Sequence, residues 1–347
     1  MLVSDKSFNN IKIHTQYSIC EGAIKIDDLA DYCKSNKIRS IGLADSYNLC
    51  GALEFSEKLT KVGTQPLIGT QINLRAQNEI GKVTLYATSE DGFRNLTKLS
   101  SSSYLKNNDA EEPFCDMNEL ILNNKDLILL TGNYHNFFGK LLFANKIKDF
   151  EKIIKSLRGH FNNRIYFEIQ RHGESEEKNF ENHLFNYSKT LDIPLIATQE
   201  VFYLQDDMYE AHDALTCIGK KQFIDDKSRF KYSNQHFFKK KEELIKLYSD
   251  IPEALENNYN FHLRFNYKPK KSKPILPSIA NAQSNSPEEE LMKQAKDGLA
   301  NRIKNFILKK NPNKNIKQIK ITYEDRLSHE IDIINSMDYA SYFLIVS

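Results

Sequence analysis

Short apolar runs alternating with amphipathic helical stretches constrain this chain more than any other feature. Residues 126–131 contain Leu-Ile-Leu-Leu without a polar interruption, the pattern of a strand covered on both faces. Comparable runs at 40–44, 66–74, 82–88, 164–170 and 194–198 predict further short strands. Between them, Ile26, Leu29, Ala30 and Cys33 fall at i, i+3, i+4 and i+7 and predict a helix over 26–36. Helices are expected likewise over 52–61, 91–104, 138–157 and 207–218, and Phe180, Leu184 and Tyr187 line another before the last strand. This rhythm implies an α/β fold, a mainly parallel sheet covered by helices, built as a barrel or as an open doubly wound sheet. No glycine-rich phosphate loop follows the first strand, which favours a barrel with its sites on loops at the C-terminal strand ends.

The alternation stops near residue 267. Pro269, Pro274, Pro277 and Pro287 punctuate a Lys-, Ser- and Asn-rich stretch over 268–287 that reads as a linker. Ser286-Pro287-Glu288-Glu289 then opens a helix, with Ser286 at the N-cap and Glu289 at the reciprocal capping position. Leu291, Ala295, Leu299 and Ile303 give its apolar face. Thr322 is expected to cap a second helix, with Leu327, Ile331 and Ile334 inward. Residues 342–346, Tyr-Phe-Leu-Ile-Val, read as an apolar strand without a partner, the mark of a chain cut inside a second domain. The expected division is one domain over 1–267, a linker over 268–287 and the first part of another domain over 288–347.

Charge excludes little by itself. The net charge of +2, from 48 basic and 46 acidic residues, announces neither a nucleic-acid nor a membrane partner. No apolar run approaches the ~20 residues of a membrane span, and no signal peptide opens the chain. The five cysteines, Cys20, Cys33, Cys50, Cys115 and Cys217, are scattered and form no Cys-x-x-Cys, which implies reduced thiols in a cytoplasmic protein.

Candidate chemistry begins at residues 11–22, Ile-Lys-Ile-His-Thr-Gln-Tyr-Ser-Ile-Cys-Glu-Gly. Ile11 and Ile13 alternate with Lys12 and His14, so the lysine and histidine share a face. Two side chains so placed can converge on a metal ion or a phosphate. Histidine is a good ligand, whereas the lysine ammonium has no free lone pair at neutral pH.

Further segments extend the pattern. Leu-Ala-Asp-Ser-Tyr-Asn-Leu-Cys-Gly-Ala stands at 43–52, Pro-Leu-Ile-Gly-Thr-Gln at 66–71 and Gly-Phe-Arg-Asn-Leu-Thr-Lys-Leu-Ser at 92–100. Tyr-Phe-Glu-Ile-Gln-Arg-His-Gly follows at 166–173, Pro-Leu-Ile-Ala-Thr-Gln-Glu-Val-Phe-Tyr-Leu at 194–204 and Glu-Ala-His-Asp-Ala-Leu-Thr-Cys-Ile at 210–218. In order and spacing, over nearly the whole chain, these resemble the N-terminal part of the catalytic (alpha) subunits of bacterial replicative DNA polymerase III. The resemblance implies a polymerase-and-histidinol-phosphatase (PHP) domain over 1–267, a distorted seven-stranded α/β barrel, and the N-terminal part of a polymerase palm over 288–347. The palm's catalytic aspartates, with Mg, would lie beyond Ser347. The resemblance also implies partners: the other polymerase III holoenzyme subunits, above all the epsilon proofreading exonuclease, and DNA reached through the full-length chain, with no membrane.

Active PHP domains, the resemblance implies, hold zinc or manganese ions at the barrel mouth through histidines and carboxylates on strand ends, and hydrolyse phosphoesters there. The family's opening His-x-His is Lys12-x-His14 here, and the Asp-His after the second strand is Asp45-Ser46. The glutamate of Ile-Gly-x-Glu is Gln71, the histidine opening the next strand falls at Lys82, and the ligand after the run near Leu130 falls at Asn133. The histidine of Gln-x-His-Gly is kept as His172, with Glu168 before it, and the closing Asp-x-His is Glu200-x-Phe202. His14, Asp45, His172 and Glu200 are therefore vestigial ligand candidates, while Lys12, Ser46, Gln71, Lys82, Asn133 and Phe202 do not replace a ligand set. The expectation is no bound metal and no catalytic residue in this chain, with Lys12 filling the vacated space and pairing with Glu200, Asp45 or Glu168. The implied function is a scaffold and exonuclease-docking domain of a DNA-directed DNA polymerase. The alternative is a metal-dependent phosphoesterase, a proofreading nuclease or pyrophosphatase, on a reduced site of His14, His172 and Asp45 or Glu200. His212-Asp213 sits on a helix without an evident base partner and reads as structural. His135, His160, His183, His236, His262 and His329 share no spacing and read as surface or core, and the lysine runs at 239–241 and 268–273 read as solvated faces.

Overall fold

The structure, a computed structural model, describes residues 7–106, 112–273, 286–310 and 315–347. Most of the expected linker (274–285), part of the basic stretch 309–317 and the first six residues lie outside the described residues. The chain divides into two compact units, Met1–Lys271 and Ser272–Ser347.

Among the described residues the first unit holds nine strands: β1 (Lys12–Ile13), β2 (Ser40–Ser46), β3 (Gln65–Ala76), β4 (Glu79–Ala87), β5 (Phe114–Asp116), β6 (Leu127–Leu130), β7 (Ile165–Ile169), β8 (Leu195–Ala197) and β9 (Glu200–Val201). Their order is β8-β7-β6-β4-β3-β2-β1-β9, with β5 added on β3. β4 runs antiparallel to β3 and β6, and the other pairs are parallel. The two ends of this path are joined by the chain itself. Only Thr198 and Gln199 separate β8, paired with β7, from β9, paired with β1. One bent stretch thus bridges both edges, and the sheet closes as a barrel of seven segments.

Inside, alternate residues of each strand climb from an apolar floor to a polar mouth. Tyr166 belongs to a floor cluster with Ile11, Ala44, Leu67, Tyr86, Ile128 and Ile196. Two and four positions further, Glu168 and Gln170 face the mouth, as the two-residue period of a strand requires. Helices cover the outside, and their apolar stripes fill two larger clusters against the outward strand residues. Ile26, Leu29, Ala30 and Cys33 are buried as their spacing predicts. Ile11 and Ile13, expected on one face, enter different clusters, because β1 itself is only two residues long.

Other expectations need correction. The helix expected over 138–157 is two, Phe137–Phe143 and Ile147–Phe161, broken where Asn145 takes a left-handed φ of 56°. In the second unit, Ser286 caps the helix Pro287–Arg302 by accepting from the Glu289 amide at 3.3 Å. Thr322 caps nothing. The helix runs Ile316–Ser336, Asn315 accepts from the Lys317 amide at 2.9 Å, and the Thr322 hydroxyl bonds back to the Gln318 carbonyl. The expected terminal strand is the helix Ala340–Val346, which buries Ala340 and Leu344. No described helix is long and apolar enough to cross a membrane.

Candidate functional site

The C-terminal ends of β1, β2, β6, β7 and β9, together with the middle of β3 and the start of β4, meet at one end of the barrel. The lysine of the opening motif sits at its centre. Lys12 is fully buried, and its Nζ lies 3.1 and 3.3 Å from the two Glu168 oxygens and 3.5 Å from Glu200 Oε1. The barrel's closure makes this pairing, since Lys12 and Glu200 stand opposite each other in register. Of the partners expected for Lys12, Glu168 and Glu200 are used. Asp45 instead accepts from the Thr15 amide (2.6 Å), the Thr15 hydroxyl (2.8 Å) and the Ser18 hydroxyl (2.7 Å). Burial pushes the Asp45 carboxyl up, against these hydrogen bonds.

Glu200 collects the other donors. His14 Nε2 lies 3.0 Å and Gln71 Nε2 2.7 Å from its Oε1, and Asn133 Nδ2 lies 3.5 Å from its Oε2. Burial acts to raise Glu200, but Lys12 and His14 outweigh it and hold the carboxyl well below the usual range. Glu168 also accepts from Gln170 Nε2 at 2.6 Å and from the Thr198 hydroxyl.

A second ion pair closes the mouth. Lys82 Nζ lies 2.5 Å from Glu21 Oε1 and 3.0 Å from Ser46 Oγ, which itself donates to Glu21. Burial raises Glu21, yet the Lys82 charge wins and sets it at about 2. Glu21 went unnoticed in the sequence although it lies in the opening motif. The signal was Gly22 beside it. A Cβ at Gly22 would meet the Thr15 carbonyl at 2.2 Å, so the glycine permits the tight return that lays Glu21 over the mouth. Tyr232, also missed, donates to Glu21 at 3.1 Å.

Phe202 stacks on His14 with ring centroids 4.5 Å apart. His172 is not drawn into the Lys12 network. Its ring stacks on His236 at 3.9 Å, and its Nδ1 lies 3.4 Å from Glu177. His236 and His135, read from sequence as unrelated, both face Glu174, at 3.8 and 3.4 Å. His212 is buried, with Nε2 2.8 Å from the Glu21 carbonyl. Lys239 departs from the solvated reading, being buried.

These residues do not fit a metal cluster. A dication needs lone pairs aimed at it. Here the carboxylate oxygens of Glu168 and Glu200 already face an ammonium and amide donors, Gln71 presents its NH₂ end, and Phe202 presents none. Among the described residues, no group of three or more His, Cys, Asp or Glu is placed to hold a metal ion. Above the ion pairs lies a cavity of about 600 Å³, lined among others by Tyr47, Lys82, Lys140, Lys220, Phe230 and Tyr232.

Comparison with known proteins finds matches at the level of family and of relatives. Residues 10–172 match the PHP domain family, and residues 289–347 match the family described as bacterial DNA polymerase III alpha NTPase domain. The DNA polymerase III subunit alpha of Caulobacter vibrioides is 33% identical over 99% of this chain and 30% of its own length. That of Rickettsia conorii is 35% identical over 98% of this chain and 29% of its own. The chain thus spans less than a third of the length of these relatives. A solved metal-dependent phosphoesterase from Bifidobacterium adolescentis aligns over 55% of this chain and 86% of its own, at 11% identity and a TM-score of 0.36. Over nearly its whole length the chain is thus similar to bacterial DNA polymerase III alpha subunits, with a PHP-family segment ahead of the segment that matches the polymerase model.

Proposed function

We propose that the barrel is a metal-free, non-hydrolytic PHP domain that serves as a scaffold in a longer replicative polymerase. The observation behind this reading is Lys12, an ammonium buried between two carboxylates in a mouth where a metal-dependent relative needs free ligands. A fixed cation there offsets the carboxylate charge without offering a site for water activation. DNA-directed DNA synthesis, with its Mg ions, belongs in this reading to the full-length chain. Residues 288–347 form the first part of its palm, and residues 268–287 link palm and barrel. The barrel also serves, in this reading, as a docking site for the epsilon proofreading exonuclease, and the assembly is cytoplasmic.

The test is the metal content of the chain purified without chelator, together with hydrolysis of a chromogenic phosphodiester in added zinc or manganese. The expected result is neither bound metal nor turnover. One metal per chain with activity that disappears in His14→Ala would overturn the proposal. That outcome would favour the reduced phosphoesterase site instead, a reading for which the buried, unpartnered Nε2 of His172 is the supporting observation.

A further inference from the structure

One feature of the mouth is unused by this function: the loop that follows the helix Tyr209–Lys220 and forms the rim of the cavity. Residues 220–232 read Lys-Lys-Gln-Phe-Ile-Asp-Asp-Lys-Ser-Arg-Phe-Lys-Tyr, five cationic and two acidic side chains interleaved with three aromatic rings. The loop is held in place from within. Arg229 pairs with both oxygens of Asp213, at 2.7 and 2.6 Å, and its Nε donates to the Ile224 carbonyl at 3.2 Å. Asp226 folds back onto the amide and hydroxyl of Ser228, at 2.9 and 2.7 Å. Arg229 and Asp226 are thus spent on the loop's own shape.

What remains faces outward. Phe223 is 86% and Phe230 38% exposed, with Ile224 between them also exposed. Lys220 lies over the Phe230 ring at 4.4 Å and the Tyr232 ring at 5.8 Å. Lys220, Lys221 and Lys227 enter none of the ion pairs found among the described residues, and Lys221 and Lys227 are exposed. Lys220, Phe230 and Tyr232 also line the mouth cavity, beside Lys140 and the paired Lys82 and Glu21.

We propose that this rim binds single-stranded nucleic acid. The exposed Phe223 ring stacks on an unpaired base, Lys221 and Lys227 follow the phosphates, and the combination tolerates any sequence. A duplex hides its base faces, so it would use only the lysines. A protein partner fits less well, because lysine is depleted in the cores of protein interfaces. The proposal rests on the polymerase reading only for the choice of DNA over RNA.

The experiment is fluorescence anisotropy of a labelled oligothymidylate of about a dozen nucleotides, titrated with the chain at several salt concentrations. Phe223→Ala is expected to weaken binding roughly tenfold, the lower part of the range for removing one stacked ring. Lys221→Ala with Lys227→Ala is expected to lower the slope of log affinity against log salt by about 1.4, at about 0.7 for each phosphate no longer neutralised. A duplex of the same length should bind more weakly and be indifferent to Phe223→Ala. Circular dichroism of the variants checks that these exposed substitutions leave the fold intact. The proposal is overturned if the wild-type chain does not bind the oligonucleotide, or if both variants bind it as the wild type does, which would leave the rim as a protein-docking face. Neither result touches the metal-free reading, which is judged by metal content and hydrolysis.

Discussion

Lys12 is the side chain on which the barrel mouth depends most. Replacing it with methionine keeps the volume but leaves Glu168 and Glu200 facing each other in a dry interior, an uncompensated charge worth about 3–5 kcal/mol. Urea unfolding should show that loss in Lys12→Met, and adding Glu168→Gln should recover part of it; an unchanged midpoint would mean the ammonium is not a structural cation. Acid should act at two further residues. Burial, with His172 stacked beside it, pulls His236 from 6.5 to about 4. Between those values the unfolded chain binds the proton and the folded chain does not, so stability falls as pH drops from 6.5 to 4, by up to about 3 kcal/mol. Glu21, at about 2 against 4.5, contributes stability that is complete above pH 4.5 and lost as pH falls toward 2. His236→Phe should flatten the upper part of the stability–pH curve and leave the lower part; a variant with the wild-type slope between pH 6.5 and 4 would assign that slope elsewhere.

The elements are joined with little space to spare. Gly42 in β2 lies so close to β1 that a Cβ would meet the Ile11 carbonyl oxygen at 2.0 Å. Gly42→Ala must push the two strands apart and is expected to cost roughly 1–3 kcal/mol, read as a lower thermal midpoint. An alanine variant as stable as the wild type would show that β1 is not tightly docked. Most strands were legible from the sequence because apolar runs bounded by turn residues mark segments buried on both faces. The terminal run Tyr342 to Val346 was misread because five apolar residues carry no period, and the helix Ala340–Val346 is set by packing of Ala340 and Leu344. The break at Asn145 is marked only by a change of phase: Phe138, Leu141 and Leu142 before it and Phe150, Ile153 and Leu157 after it lie on different faces of any single continuous helix, a shift that apolar residues on both sides conceal. At the site, positions on strand ends were legible, and the choice among three partners for Lys12 was not. It follows from the register of β1 with β9, and β9 is too short to announce itself. Glu174, His135 and His236 meet only because three separate loops do, and sequence spacing carries no trace of that.

For the whole molecule, the ion pairs bear on how stability is maintained. If fixed lysine charges hold the mouth together, stability cannot depend on metal supply. Dialysis against a strong chelator should leave the thermal midpoint where it was, and added zinc should not raise it, since a ligand stabilises only a fold that binds it. A drop on chelation would show a bound ion after all. The strand stretch that joins the two edges of the barrel has a further consequence during synthesis. β1 leaves the ribosome before the other described strands, yet its second neighbour emerges much later, for His14 and Glu200 are 186 positions apart. Such long-range pairing is slow to form. Until residue 200 or so is translated, the nascent chain is an open sheet with an unguarded edge, and Lys12 is still bathed in water. Burial of that charge and closure of the edge are therefore one event, and a ribosome pausing before it would release the most aggregation-prone form of this protein.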